Sequence, residues 1–182
     1  MTETRTSDRV IQQAADSVSY AFNTIDYAHH EIHGGSSYAA GTVTDLASGG
    51  TVHLMITTPD TTKWCHLLGG VVVESESTIN WYENPTSPSG GGTITPVNRN
   101  RNSSTTAGAS VVGTVGVLSG TVGDTLFSSA IGSGRGEGGE IRATGEWILK
   151  QNEDYILEVV NESTGPSWTS VHFNWYEHTN KE

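Results

Sequence analysis

Thr51-Val-His-Leu-Met-Ile-Thr-Thr58 reads as an extended segment with two unlike faces. Val52, Leu54 and Ile56 recur at every second position, with His53 and Met55 between them. Side chains along a strand alternate across the sheet, so one face of this segment belongs against a core. Val171-His-Phe-Asn-Trp-Tyr176 repeats the pattern, with Val171, Phe173 and Trp175 on one side. Tyr155-Ile-Leu-Glu-Val-Val160 alternates too, but apart from Glu158 its second face is also apolar, which predicts a strand covered on both sides.

Outward from these three, strand character recurs over Trp64 to Val73, Thr78 to Tyr82, Val111 to Leu118, Thr121 to Ser128 and Ile141 to Leu149. About eight short strands bounded by Gly, Ser and Thr predict an all-β protein, an antiparallel β-sandwich of jelly-roll type. Helical signals are scarce. Ser7 or Asp8 can cap a turn or two over Asp8 to Ser17, through Val10, Ile11, Ala14 and Ala15. The chain thus divides into an N-terminal arm or short helix, residues 1–37, and a sandwich domain, residues 38–182.

Two segments have loop composition. One is Glu83 to Ala109, with three Pro and three consecutive Gly, and the other is Ser128 to Glu140. A loop as long as the first is either functional or tied down by its own contacts. One internal echo is present: Asn80-Trp-Tyr-Glu83 recurs as Asn174-Trp-Tyr-Glu177. It marks either two equivalent strands in the halves of a sandwich or a shared packing demand.

The chain's 182 residues suffice for one sizeable domain. With 20 acidic against 9 basic residues the formal charge is −11, a poor basis for gripping phosphate backbones, so no nucleic-acid partner is expected. The single Cys65 excludes an internal disulfide and, lying in an apolar run, suits a core better than a nucleophile. No apolar run approaches the ~20 residues of a membrane span. The first residues also lack the apolar stretch of a secretory signal, so neither membrane nor export is expected.

Ala28-His-His-Glu-Ile-His33 gathers three imidazoles and a carboxylate. A zinc-peptidase helix needs His-Glu-x-x-His, and here His30-Glu31-Ile32-His33 is one residue short, while Gly34-Gly35 would end a helix at once. On a strand, His29, Glu31 and His33 would share a face and could hold a metal; a polar strand or arm hydrogen-bonded at an interface is the favoured reading. No metal and no cofactor are therefore expected. Gly-x-Ser-x-Gly is absent, and carboxylate pairs such as Glu74 and Glu76 arise freely in so acidic a chain. Gly132 to Gly139 lacks the strand-turn-helix setting of a dinucleotide loop. No catalytic residue is expected. Arg99 and Arg101, in Pro96-Val-Asn-Arg-Asn-Arg-Asn102, read first as donors that fix a long loop and second as contacts to an acidic partner. Of the five Trp, Trp64, Trp81, Trp147 and Trp175 fall in expected strands and Trp168 in a loop.

Several runs carry a resemblance: Thr24-Ile-Asp-Tyr-Ala-His-His-Glu-Ile-His-Gly-Gly-Ser-Ser-Tyr38, Pro59-Asp-Thr-Thr-Lys-Trp64 and Ile94-Thr-Pro-Val-Asn-Arg-Asn-Arg-Asn-Ser103, then Leu149-Lys-Gln-Asn152 and Trp175-Tyr-Glu-His-Thr-Asn-Lys181. Together they resemble a group of tailed-bacteriophage virion proteins, some of which are similar to the cement, or decoration, proteins that coat capsids as β-sandwich trimers. The likeness covers nearly the whole chain after its first twenty-odd residues, and His-His-Glu-Ile-His-Gly-Gly is its most specific piece. It implies a homotrimer on the outer capsid surface, assembled in the host bacterial cytoplasm and partnered by the major capsid protein. Candidate contacts to capsid or subunit are His29, His30, Glu31, His33, Tyr38, Arg99 and Arg101. Two other classes stay open. One is a fibre or receptor-binding module that holds host glycan on exposed aromatic residues, Trp168 and Tyr82 first. The other is an enzyme, either a metal-dependent hydrolase using His29, His30 and His33 or a depolymerase using carboxylates.

Overall fold

Val52, Leu54 and Ile56 are fully buried, as their alternation requires, in a strand that spans Thr51–Thr57. The computed structural model describes residues 27–115, 119–132, 139–142 and 145–179. Eight strands form its two main sheets. The first contains β1 (Ser37–Leu46), β3 (Lys63–Val73), β11 (Gly139–Arg142) and β14 (Ser167–Thr179), in the order β11-β3-β14-β1. The second contains β2 (Thr51–Thr57), β4 (Ser77–Glu83), β10 (Asp124–Ile131) and β13 (Asp154–Asn161), in the order β10-β4-β13-β2. All these pairs are antiparallel. The chain alternates between sheets at every step except β4 to β10, which are neighbours in the second sheet. That wiring is a jelly roll.

Six short strands complete the architecture. β5 (Thr86–Ser89) pairs with β9 (Ser119–Thr121), while β6 (Gly92–Ile94) and β8 (Ser110–Val115) widen the second sheet beyond β2. β7 (Val97–Asn98) adds to the free edge of β1, and β12 (Trp147–Ile148) lies beside β3. The segment Glu83 to Ala109 is thus a decorated connection tied down by strand pairing. A helix, α1 (Tyr27–Gly34), precedes β1 and packs against β1 and β14.

Alternation fixes what fills the interior. Leu67 and Val71 of β3 and Val171, Phe173 and Trp175 of β14 face Ile79 and Trp81 of β4 and Leu157 and Val159 of β13 in one cluster. Trp81 stacks on Tyr155, with centroids 5.8 Å apart, and meets Phe173 of the opposite sheet edge-on at 5.6 Å. This aromatic contact joins the sheets at their centre. Full burial of a side chain of this kind contributes about 1.5–3 kcal/mol. The two Asn-Trp-Tyr-Glu runs lie one in each sheet, and both Trp81 and Trp175 are core residues, so a common packing demand accounts for the echo.

The structure departs from the sequence reading in definite places. β1 was not expected: its inward positions include Ala40 and Thr42, too small and polar to give an apolar period, and Ala40 lies beside the bulky Phe173. β2 is buried on both faces, because His53 pairs with Glu158 and Met55 packs with Ile156. β13 is also covered on both sides, as its sequence requires: Ile156 on the outer face is as buried as Val159 on the inner. Ser128 to Ile131 belongs to β10 rather than to a loop, and Ile141 to Leu149 contains two short strands rather than one. Of the expected arm, residues 1–26 and the helix over Asp8–Ser17 lie outside the described residues.

Trp168, at 58% exposure, and Phe173, at 0%, sit five positions apart on one strand and give a direct test of this packing. Phe173→Ala is expected to cost about 3–5 kcal/mol and Trp168→Ala no more than about 0.5 kcal/mol in urea unfolding. Equal losses would contradict the assignment of inner and outer faces.

Candidate functional site

The histidine-rich run is helical, not extended. Gly34-Gly35 stops it: Gly35 adopts φ +75°, its N–H donates to the Ile32 carbonyl (3.1 Å), and the Ser36 N–H donates to the Glu31 carbonyl (3.1 Å). These are the two bonds of a Schellman C-cap, and glycine supplies its left-handed residue. A Cβ at Gly35 would also strike Ser103. On the helix, His29 and His33 stand one turn apart with their Nε2 atoms 3.0 Å from each other on the exposed side. Glu31 is 7% exposed and accepts the Ser36 hydroxyl. His30 Nδ1 is 3.8 Å from Glu31 Oε1. The face shared by His29, Glu31 and His33 on a strand therefore does not form. Among the described residues no three His, Cys, Asp or Glu side chains are grouped to hold a metal ion.

The remaining sequence candidates are fastened to the same end of the molecule. Tyr38 is 1% exposed; its hydroxyl donates to the Thr106 carbonyl (3.1 Å) and its ring lies 5.7 Å from Trp175. It packs inside the fold. Asn98, also buried, donates to the carbonyls of Gly35 (2.8 Å) and Thr105 (2.9 Å), and the Asn100 side chain donates to the His33 carbonyl (3.0 Å). The Arg99 N–H donates to the Ser37 carbonyl at 2.8 Å. Arg101 donates from Nη1 to the Asn98 carbonyl (3.4 Å), which is the loop-fixing role.

Beneath this loop lies Glu177, whose carboxylate accepts the N–H groups of Gly108 (2.9 Å) and Ala109 (2.9 Å) and the indole N–H of Trp175 (3.0 Å). Burial first, and the charge of Glu177 second, push the Cys65 thiol up to about 12 and raise the Tyr38 phenol. Cys65 is accordingly a core residue and not a nucleophile.

Two further side-chain networks join residues far apart in sequence. On the outer face of the second sheet, Glu158 accepts from His53 Nε2 (2.8 Å), Asn80 Nδ2 (3.0 Å) and the Tyr82 hydroxyl (3.1 Å). Tyr82 also packs against Met55 and Ile156, so it is not an exposed platform for sugars. On the outer face of the first sheet, His66, Glu146, Tyr176 and His178 form a second network. Sequence reading placed His66 on the face opposite Cys65, which is correct, but nothing local links it to Glu146 or His178. Between the sheets a cavity of about 280 Å³ is lined by Leu67, Gly69, Trp81, Phe127, Trp147 and Leu157. That is at the lower end of the roughly 300–1,000 Å³ of drug-sized ligand sites.

The outer face of the first sheet also carries exposed apolar side chains. Val43 of β1 and Val72 of β3 flank Ser170 of β14 in register, and Trp168, two residues along the same face, lines a shallow groove with both. Trp168 stands on β14 rather than in a loop. No family model matches the chain, and no curated protein matches it.

The Glu158 network sets an acid dependence. The His53 hydrogen bond first, against an opposing effect of burial, holds the Glu158 carboxyl below its ordinary value. A depressed folded-state pKa gives stability that is complete above the ordinary carboxylate value of about 4.3 and is lost as pH falls through the folded value. Glu158→Gln should cost about 1–3 kcal/mol at neutral pH and flatten the fall in stability between about pH 5 and pH 3. Urea midpoints measured across that range check it, and an acid limb as steep as that of the unaltered protein would contradict it.

Proposed function

We propose that the chain is a structural, non-catalytic component of a tailed-bacteriophage virion: a decoration protein on the outer capsid surface that bridges major capsid protein subunits as a homotrimer. The observation that carries this reading is the outer face of the first sheet. Val43, Val72 and Trp168 are 63%, 40% and 58% exposed there, together lining a shallow groove. An apolar patch on so acidic a chain supports the reading of a surface that associates with protein. The resemblance of its sequence runs to virion proteins supplies the partner. Three such patches in a trimer would engage a shell together, so each contact can be weak. A formal charge of −11 repels packaged nucleic acid and favours the outside of the shell. Lack of disulfides accords with assembly in a bacterial cytoplasm.

Exposure of Trp168 also suits stacking on a sugar, the basis of a second reading as a fibre or receptor-binding module. One experiment separates the two: the copy number of this chain per particle, relative to the major capsid protein, in purified virions. A fixed simple ratio to the capsid subunit supports decoration, and a few copies per particle transfers the chain to the fibres. Absence from the particle overturns both. Trp168→Ala and Val43→Asp are each expected to weaken binding to undecorated capsids by about tenfold or more. Unchanged occupancy by both variants would remove the patch from the contact.

A further inference from the structure

Along β3 the inward positions read Leu67, Gly69 and Val71, so the middle one contributes no side chain to the core. A Cβ at Gly69 would come no nearer to a neighbour than 3.7 Å, from Leu157 Cδ2, so the space beside it stays open. Across that space stand Trp81 and Leu157 of the second sheet, which share with Gly69 the cavity of about 280 Å³ between the sheets. Trp147 is the register partner of Leu67, and Phe127 that of Trp81. Cross-strand partners share a face, so both rings point inward. Phe127 is nevertheless 42% exposed. An inward ring that solvent reaches marks the side on which the cavity opens, between β10 and β12. Glu146 is the charged residue of the described lining, and its side chain is 37% exposed, which puts it at that opening. Its Oε1 accepts from His66 and from the Tyr176 hydroxyl, and its Oε2 has no partner among the described residues.

We propose that this cavity binds an organic ammonium ion: a flat apolar body of two fused rings fills the space beside Gly69, and its cationic group meets the Glu146 carboxylate. Size sets the body. An apolar cavity of about 150 Å³ is enough to hold benzene, and this one has almost twice that space. Its aliphatic and aromatic walls favour a flat hydrocarbon over a polyol. A glycine inside a strand is also where a ligand can come close to the backbone. Charge sets the head group. The remaining Glu146 oxygen attracts a cation and repels an anion, and the rings of Phe127 and Trp147 attract a cation that lies over their faces. The formal charge of −11 acts in the same direction. His66 and Tyr176 are positioning residues: by bonding Oε1 they orient the carboxylate before any ligand arrives. The site lies between the sheets and is separate from the outer groove lined by Trp168.

The test is calorimetric titration of the full chain at about pH 8, where imidazoles are neutral and carboxylates ionised. Three probes of one shape are used: naphthylethylamine, a cation; naphthylethanol, neutral; and naphthylacetate, an anion. One amine per chain is expected, with the alcohol binding about tenfold more weakly and the carboxylate more weakly still. Glu146→Gln should remove the difference between amine and alcohol while leaving the affinity for the alcohol unchanged. Gly69→Val fills the space and should abolish binding of all three. Nuclear Overhauser contacts from the naphthyl protons to Leu67, Phe127 and Trp147 of the unaltered protein locate the site without requiring a variant to fold. The proposal is overturned by absence of saturable amine binding, by equal affinity for amine and alcohol, or by a preference for the amine that survives Glu146→Gln. Binding that survives Gly69→Val, or naphthyl contacts elsewhere on the protein, would overturn it too.

Discussion

A buried carboxylate organises one end of this molecule. Glu177 is 3% exposed, and its described partners are all N–H donors: two consecutive backbone amides, from Gly108 and Ala109, and the indole of Trp175. Taking a carboxylate out of water costs several kcal/mol unless hydrogen bonds replace its hydration. The two amide bonds come from a segment that has left the sheets, so the charge can be accommodated only if the connection from Glu83 to Ala109 returns to one place. Gly108 is part of the fit, because a Cβ there would stand 2.9 Å from Glu177 Oε2. Once Gly108 and Ala109 are fixed, the preceding residues lie along the edge of β1. Asn98 and Asn100 then bind the carbonyls of Gly35 and His33, and α1 takes its position. The exposed pair His29 and His33 thus depends on a glutamate nearly 150 residues away in sequence.

The sandwich has two unlike outer faces. On the second sheet, Glu158 and His53 form a buried polar centre, and Met55 and Ile156 pack beside it. The first sheet instead displays Val43, Val72 and Trp168 at one end of β14 and the His66–His178 pair at the other. Both sheets share one core, held at its middle by Trp81 and Phe173. What differs is the outward set of residues on each strand, the set that a jelly roll can vary without disturbing its wiring.

The inward sets were legible in the sequence because alternation is a local property. Val52, Leu54 and Ile56, or Val171, Phe173 and Trp175, announce a buried face without reference to any other segment. β1 escaped because its inner positions include Ala40 and Thr42, whose size is set by a neighbour, Phe173, on another strand. The run from Tyr27 to Gly34 was legible only in its end: Gly34-Gly35 marks the stop, whereas polar histidines give no period that tells helix from strand. The networks around Glu158, Glu146 and Glu177 were not legible. Each includes hydrogen bonds between residues 68 or more positions apart, which the fold and not the local sequence brings together.

Hydrogen exchange at the Gly108 and Ala109 amides tests the organising role of Glu177 most directly, compared between the unaltered protein and Glu177→Gln. Both amides donate to a buried carboxylate, and hydrogen bonds to charged groups are worth about 1.5–3 kcal/mol. The account predicts slow exchange at both amides in the unaltered protein. In the variant exchange should accelerate by about tenfold or more there and at the Asn98 side of the connection, with the amides of β13 changed far less. Rapid exchange at Gly108 and Ala109 in the unaltered protein, or a uniform change across the fold in the variant, would contradict it.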